Sequence, residues 1–228
     1  MPFPYFGRKT RIAHLYPYPT HDTIVEPFAG SAGYAMHADN WTRRVILVEK
    51  NPQIAELWRW LISPKVDRDT IVALSDMHKG ESLEDKFGNG PRRTLAELTS
   101  PSATIAKNTV TEWMERDWPG IRQRIAGEIH KVKHWTIDEG DYRDAPDIKA
   151  TWFIDPPYQK IVHGYGNTRD SLDFYMLGDW CVDRSGQVIV CEESGADWLP
   201  FQPLTGRNTI DNTRTVEVVW TNYPVALF

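Results

Sequence analysis

The spacing of apolar residues changes period along the chain, and each change predicts an element. A short apolar run over Thr23–Phe28 ends at Gly30 and predicts a strand, and "SAGYAMHADNW", opened by Ser31 as a cap, reads as a helix. Arg44–Val48 forms a second strand-like run closed by Glu49. From Pro52 onward, Ile54, Leu57, Trp58 and Leu61 recur at helical spacing, with the proline in the first turn, where no N–H is needed. This alternation predicts a parallel sheet with right-handed crossovers. It lapses between about Ser63 and Ile129: charge becomes denser, "FGNGP" at Phe87–Pro91 marks a turn, and Thr111–Val132 reads as a helix interrupted near Pro119. It resumes with strands near Trp135–Ile137 and just before Asp155, a helix near Leu172–Asp183 and the strand "QVIVCEE". The period-two run "TVEVVWTNY" adds an antiparallel hairpin strand. The expected architecture is α/β, with residues 1–62 and 130–228 forming one domain around a mixed, mostly parallel sheet and residues 63–129 inserted as a lobe.

Composition narrows the class. The 228 residues are 41% hydrophobic and 25% charged, as in an ordinary globular protein with one sizeable core. No apolar run reaches the length of a membrane span, and "MPFPYFGRKTR" lacks the apolar core of a signal peptide, so a cytoplasmic location is expected. Cys181 and Cys191 are the only cysteines and lack zinc-type spacing, so they are expected to be buried thiols with no metal role. The net charge of −5 gives no support to a phosphate-binding partner; residues 141–228 hold seven Lys and Arg against thirteen Asp and Glu.

Three strand ends carry candidate chemistry. In "EPFAGSAG" a strand runs into a glycine turn, where Gly30 and Gly33 let a ligand approach the backbone, but the spacing is neither the dinucleotide nor the P-loop pattern. Glu49 ends the next strand about twenty residues on, where a carboxylate can accept hydrogen bonds from both hydroxyls of a ribose. Together they suggest a ribose-bearing cofactor without an essential phosphate grip; alone, each is also what a plain turn or a solvated strand-end acid would show. The third is "DPPY", Asp155–Tyr158. Pro156 and Pro157 stop the strand and stiffen it. Asp155 and the Pro156 carbonyl can each accept one N–H of an exocyclic amine, drawing its nitrogen toward sp³ geometry and freeing the lone pair, while Tyr158 offers a face for a base to stack on.

Four segments then resemble, in order, the motifs of the Dam-type (D12 class) DNA N6-adenine methyltransferases: "FPYFGRK", "EPFAGSAG", "DPPY" and "EVVWTNY". Arg8 stands where that family has the second glycine of its N-terminal pair, and the glycine turn reads "GSAG". The resemblance implies a Rossmann-like fold dependent on S-adenosylmethionine (SAM), an inserted target-recognition lobe, and methyl transfer to N6 of an adenine flipped out of double-stranded DNA, leaving S-adenosylhomocysteine. It implies that Tyr5 and Lys9 help hold SAM, that Phe28, Ala29, Gly30 and Ser31 line its methionine end, that Glu49 meets the ribose and Asp141 of "EGDY" the adenine, and that Asp155, Pro156, Pro157 and Tyr158 handle the target base, with Asp155 also facing the cofactor.

Candidate DNA contacts are Lys160, Tyr165 and Arg169 in the loop after Tyr158, which also contains His163; Arg92 and Arg93 after the "FGNGP" turn; Asn222 in "EVVWTNY"; and Arg122, Arg124, Lys131 and Lys133 as phosphate partners. A solvated charged face explains the lobe residues almost as well. The same carboxylate and carbonyl trap would suit adenine N6 in RNA or cytosine N4 in DNA, and a SAM-binding, nucleic-acid-binding module without turnover is the alternative of a different class. Recognition sequence, a partner nuclease and oligomeric state are left open.

Overall fold

The structure is a computed structural model and describes residues 3–5, 7, 9, 12–100, 107–159, 172–204 and 216–223. Seven strands form one sheet: β1 (Thr23–Glu26), β2 (Arg44–Glu49), β3 (Thr136–Glu139), β4 (Ala150–Ile154), β5 (Gly186–Glu193), β6 (Gln202–Pro203) and β7 (Glu217–Thr221), in the spatial order β3-β2-β1-β4-β5-β7-β6. The first five are mutually parallel, while β7 runs antiparallel to β5 and β6 antiparallel to β7. The central strands are apolar nearly throughout because both of their faces are covered. β6 holds Pro203 at the sheet margin, where a missing N–H is tolerated.

Alternation along the strands sends side chains into two cores. On one face Ile24, Val45, Leu47, Phe153, Ile189 and Cys191 meet α1 (Pro52–Ile62) through Ile54, Leu57, Trp58 and Leu61. On the other, Val25, Ile46, Val48, Trp152, Ile154, Val188 and Val190 meet α6 (Phe174–Val182) through Leu177 and Cys181. Asn51 caps α1 by accepting from the Gln53 amide at 3.0 Å, with Pro52 in the first turn as expected. Residues of 63–129 supply α2 (Arg68–Val72), α3 (Leu83–Phe87), α4 (Pro91–Glu97) and α5 (Glu112–Glu128). Their buried side chains, among them Ile71, Leu95, Met114, Trp118 and Ile125, join the same core as α1. Both cysteines are buried and unpaired. Among the described residues no helix is long and apolar enough to cross a membrane.

Two expectations are corrected. The segment from Ser31 to Trp41 is not a helix but a succession of turns ending in a short 3₁₀ turn, Asn40–Thr42. Ala32 and Ala38 adopt left-handed backbone with φ of 50° and 48°, and the Ala35 amide donates to the Glu26 carboxylate at 2.7 Å, so the amide is not spent on a helical carbonyl. Only one bond of α-helical span closes there, Met36 N–H to the Ala32 carbonyl at 3.0 Å. Conversely, α5 passes through Pro119 without a break. The ring lies on the exposed side, and the buried stripe Met114, Trp118, Ile121 and Ile125 holds the helix on either side of the lost hydrogen bond.

Candidate active site

All five parallel strands end at one edge of the sheet, and β1 and β4 are neighbours there. The turn after β1 is shaped by its backbone. Gly30 has φ +45°, its amide donates to Glu49 Oε2 at 2.9 Å, and its carbonyl accepts from Trp58 Nε1 at 2.8 Å. A Cβ at Gly30 would stand 2.9 Å from the Tyr5 ring, so glycine is required both for the backbone angle and for the seat of Tyr5. Gly30→Ala is expected to lower stability by about 1–2 kcal/mol, read as a fall in thermal midpoint. Ala29 and Ser31 are buried on either side.

Glu49 spans two turns, since its other oxygen accepts from the Asn51 amide at 2.9 Å. Burial raises the pKa of this carboxyl, and the amides of Asn51 and Gly30 pull the other way. Phe28 stacks on Tyr142 with centroids 5.5 Å apart and an interplanar angle of 22°. Asp141 precedes that tyrosine, capping a short turn at 142–144 and pairing with Arg143 at 2.8 Å and Lys50 at 3.2 Å. Partial burial would raise Asp141, but Arg143 and Lys50 together hold it below its ordinary pKa.

At the end of β4 a second cluster forms. Lys9 Nζ lies 2.8 Å from Asp155 Oδ1 and 3.5 Å from Glu217 Oε1, donates to the Gly7 carbonyl at 3.2 Å and stands 4.5 Å from the centre of the Tyr158 ring. The hydroxyls of Tyr158 and Tyr16 both donate to Glu217 Oε1 at 2.6 Å. The Lys9 side chain is 6% exposed and that of Asp155 22%. Burial alone would lower the Lys9 pKa, but the facing carboxylates of Asp155 and Glu217 outweigh it and hold the ammonium charged. For Asp155 burial is the larger effect: it pushes the carboxyl up to about 6 although Lys9 attracts its anion, with Glu217 adding to the rise. The two partners of one ion pair thus both move up, because the pair is embedded beside a second acid.

Phe3, Tyr5 and Lys9 join the two clusters. Phe3 is fully buried against Trp58, with centroids 5.3 Å apart, Tyr5 covers Gly30 at the end of β1, and Lys9 reaches Asp155 at the end of β4. Tyr5, Lys9, Phe28–Ser31, Glu49 and Asp155–Tyr158 therefore share one edge, and Asp141 lies beside it through Lys50 and Tyr142. Asn222 does not join them. It follows β7 at the opposite edge, where its oxygen accepts from the Val188 amide at 2.8 Å and its nitrogen donates to the Gly186 carbonyl at 2.9 Å; the antiparallel course of β7 carries its last residue away from the site.

In the lobe Arg93 is held by Glu97 at 2.8 Å and by Asn89 and Asn108 at 3.0 Å, and Arg122 by Asp76 at 2.7 Å. Lys131 pairs with Glu128 at 3.5 Å, and Lys133 donates to the carbonyls of Leu61 and Ser63 at the close of α1. Arg92 and Arg124 are exposed. Lys160, His163, Tyr165 and Arg169 lie outside the described residues.

Four functional candidates escaped the motif reading. Glu217 stands in a quoted motif but its carboxylate was not singled out. Tyr16 had no local signal. Glu26 is buried beneath the turn, pushed up to about 8 by burial, with the Ala35 amide opposing and Asp155 reinforcing the rise. Glu192, 0% exposed on β5, accepts from the Gln159 amide at 3.1 Å, from Trp198 Nε1 at 3.0 Å and from the Glu193 amide at 2.9 Å, and so fixes the backbone just beyond Tyr158. The signal for both acids was an ionisable residue continuing the end of an apolar strand run.

No protein-family model matches the chain, and no curated protein matches it. The strand order, with its reversed β7 beside β5, is consistent with the class-I Rossmann-like fold of the SAM-dependent methyltransferase superfamily. The donor set fits such a cofactor: Glu49 and Asp141 are acceptors suited to hydroxyl and amine groups, and the edge carries more carboxylate than ammonium, which favours a sulfonium cation. Among the described residues no group of three or more metal-ligating side chains is present.

Proposed function

We propose that this protein is a SAM-dependent DNA methyltransferase acting on N6 of a flipped-out adenine. The observation that carries the reading is the convergence of Asp155 and its rigid Pro156–Pro157 turn with the Gly30–Glu49 turn at adjacent strand ends, with Tyr5 on the one and Lys9 on the other.

Bound SAM would supply an electrophilic methyl. Tyr5, Phe28–Ser31 and Glu49 hold the cofactor side of the edge, with Asp141 at its margin. Asp155 and the Pro156 carbonyl accept the two N–H bonds of the amine and orient its lone pair, while the Tyr158 ring supports the base. So oriented, the nitrogen lone pair would take up the methyl, and the sulfur of the bound cofactor would keep the electrons of its C–S bond. The cationic nitrogen is stabilised by the Asp155 carboxylate and then loses its extra proton to that carboxylate or to water. Arg92, at the start of α4, and the residues Lys160, Tyr165 and Arg169 are the proposed DNA contacts, and residues 63–129 the proposed recognition lobe.

Incubation with labelled SAM and separate DNA and RNA pools, followed by identification of the modified nucleoside, tests the reading. N6-methyladenine in DNA supports it; label confined to RNA, on cytosine N4, or absent despite SAM binding overturns it. The reaction should also follow the ionisation of Asp155. Its carboxyl, raised to about 6 by burial, accepts N–H bonds only when deprotonated, so kcat/KM is expected to fall as pH drops through about 6. Glu26, raised to about 8, titrates separately, and Glu26→Gln should leave the acid limb in place.

A further inference from the structure

Lys9 sets a positive charge beside the carboxylate that the proposed reaction needs. Its ammonium lies 2.8 Å from Asp155 Oδ1; the carboxylate keeps lone pairs for an incoming amine N–H, but the positive charge beside it opposes a nitrogen that becomes cationic as it reacts. The lysine cannot easily retreat into water, since its side chain is 6% exposed. It has one other anion within reach, Glu217 Oε1 at 3.5 Å.

We propose that Glu217 is a positioning residue that takes over the Lys9 ammonium when the substrate amine engages Asp155. The inference rests on the methyltransferase reading and adds to it a partner for Lys9. The transfer requires a displacement of less than about 1 Å to reach ordinary charge-assisted hydrogen-bond length. Lys9 remains buried and charged throughout, and no unpaired charge is created, which is the costly alternative. Glu217 itself is fixed: β7 pairs with β5 in the register Glu193↔Glu217, and the Tyr16 and Tyr158 hydroxyls anchor its oxygen at 2.6 Å. The Glu217 carboxylate therefore orients, through Oε1, the aromatic ring on which the base is proposed to stack, and its negative charge draws the cation that must leave. With Lys9 on Glu217, Asp155 faces the developing cationic nitrogen with its full negative charge.

The groups bearing on Asp155 come from every neighbouring element: Lys9 from the first residues, Tyr16 after the first short turn, Glu26 on β1, Tyr158 beyond β4, Cys191 on β5 and Glu217 on β7. Two variants perturb the pair in opposite senses. Glu217→Gln keeps the shape and an acceptor for the tyrosines but removes the anion, leaving Lys9 on Asp155; the ionisation midpoint of Asp155 is expected to fall. Tyr16→Phe removes a competing donor from Glu217, draws Lys9 away from Asp155 and should raise that midpoint. Both are read by carboxyl-carbon NMR titration of the protein alone, which does not depend on the nucleic-acid substrate. In methylation assays Glu217→Gln should lower kcat by roughly 10–100-fold, the scale of one hydrogen bond to a charged group, with KM for SAM within about 3-fold of the parent; Glu217→Asp should recover part of the loss. Asp155 midpoints that stay fixed, or that move in the same direction in both variants, overturn the role of Glu217 whatever the substrate proves to be. Failure to methylate any nucleobase while the midpoints diverge instead sinks the functional reading and leaves standing only the sharing of Lys9 between Asp155 and Glu217.

Discussion

Replacing Asp155 by asparagine is expected to reduce methyl transfer by about 10³-fold or more while SAM affinity stays within about 3-fold of the parent. The amide is nearly isosteric and keeps one acceptor oxygen. It loses the negative charge that, in the proposed reaction, stabilises the nitrogen as it becomes cationic, and its NH₂ group presents donors to the Lys9 ammonium, which should then favour Glu217. The Gly30–Glu49 turn stays intact because its hydrogen bonds involve Trp58, Asn51 and the turn backbone, none of which touches Asp155. Single-turnover kinetics with labelled SAM, alongside calorimetric SAM binding, separates the two quantities. Retention of more than about a tenth of the parent rate would remove Asp155 from the chemistry.

Gly186→Ala should have the largest effect on stability. At φ +104° a side chain is strained, and a Cβ there would lie 2.2 Å from the Ala150 carbonyl oxygen and 2.9 Å from its nitrogen. Those are backbone atoms of the paired strand, in the register Ala150↔Gly186, so relief requires β4 and β5 to part at their first residues. Strain and overpacking together amount to about 3–5 kcal/mol, or a thermal midpoint lower by about 10 °C for a chain of this size. Because Gly186 begins β5 at the edge opposite Asp155, the folded fraction should retain its turnover. Thermal denaturation and active-site titration of the soluble fraction check the two halves of that statement.

The parallel strands were legible because burial on both faces leaves continuous apolar runs, and α1 because Pro52 and the Ile54, Leu57, Trp58 and Leu61 stripe agree on one register. The segment from Ser31 was misread for a physical reason: its alanines favour a helix locally, but the buried Glu26 carboxylate takes the Ala35 amide, a contact between residues nine apart that no local pattern contains. Pro119 misled in the opposite direction, since packing of Trp118 and Ile121 outweighs one lost hydrogen bond on an exposed face. The edge residues from Phe28 to Glu49 and the Asp155–Tyr158 turn could be located from motifs. The pairing of Lys9 with Asp155, and the convergence of Tyr16 and Tyr158 on Glu217, could not, because they join segments far apart in sequence, 201 residues for Tyr16 and Glu217 and 59 for Tyr158 and Glu217. Asn222 was drawn into the site by its motif, whereas strand direction carries it to the far edge.

The meeting of Lys9 with Glu217 has a consequence for how the protein is made. These two residues come from the earliest and the latest parts of the described chain, and their contact awaits the docking of β7 against β5. During synthesis Lys9 therefore emerges long before either of its anions, and the pocket acquires its final balance of charge only when β7 docks and joins the earliest described segment to the latest. Catalytic competence should accordingly lag behind formation of the parallel strands, appearing as a late kinetic phase in refolding.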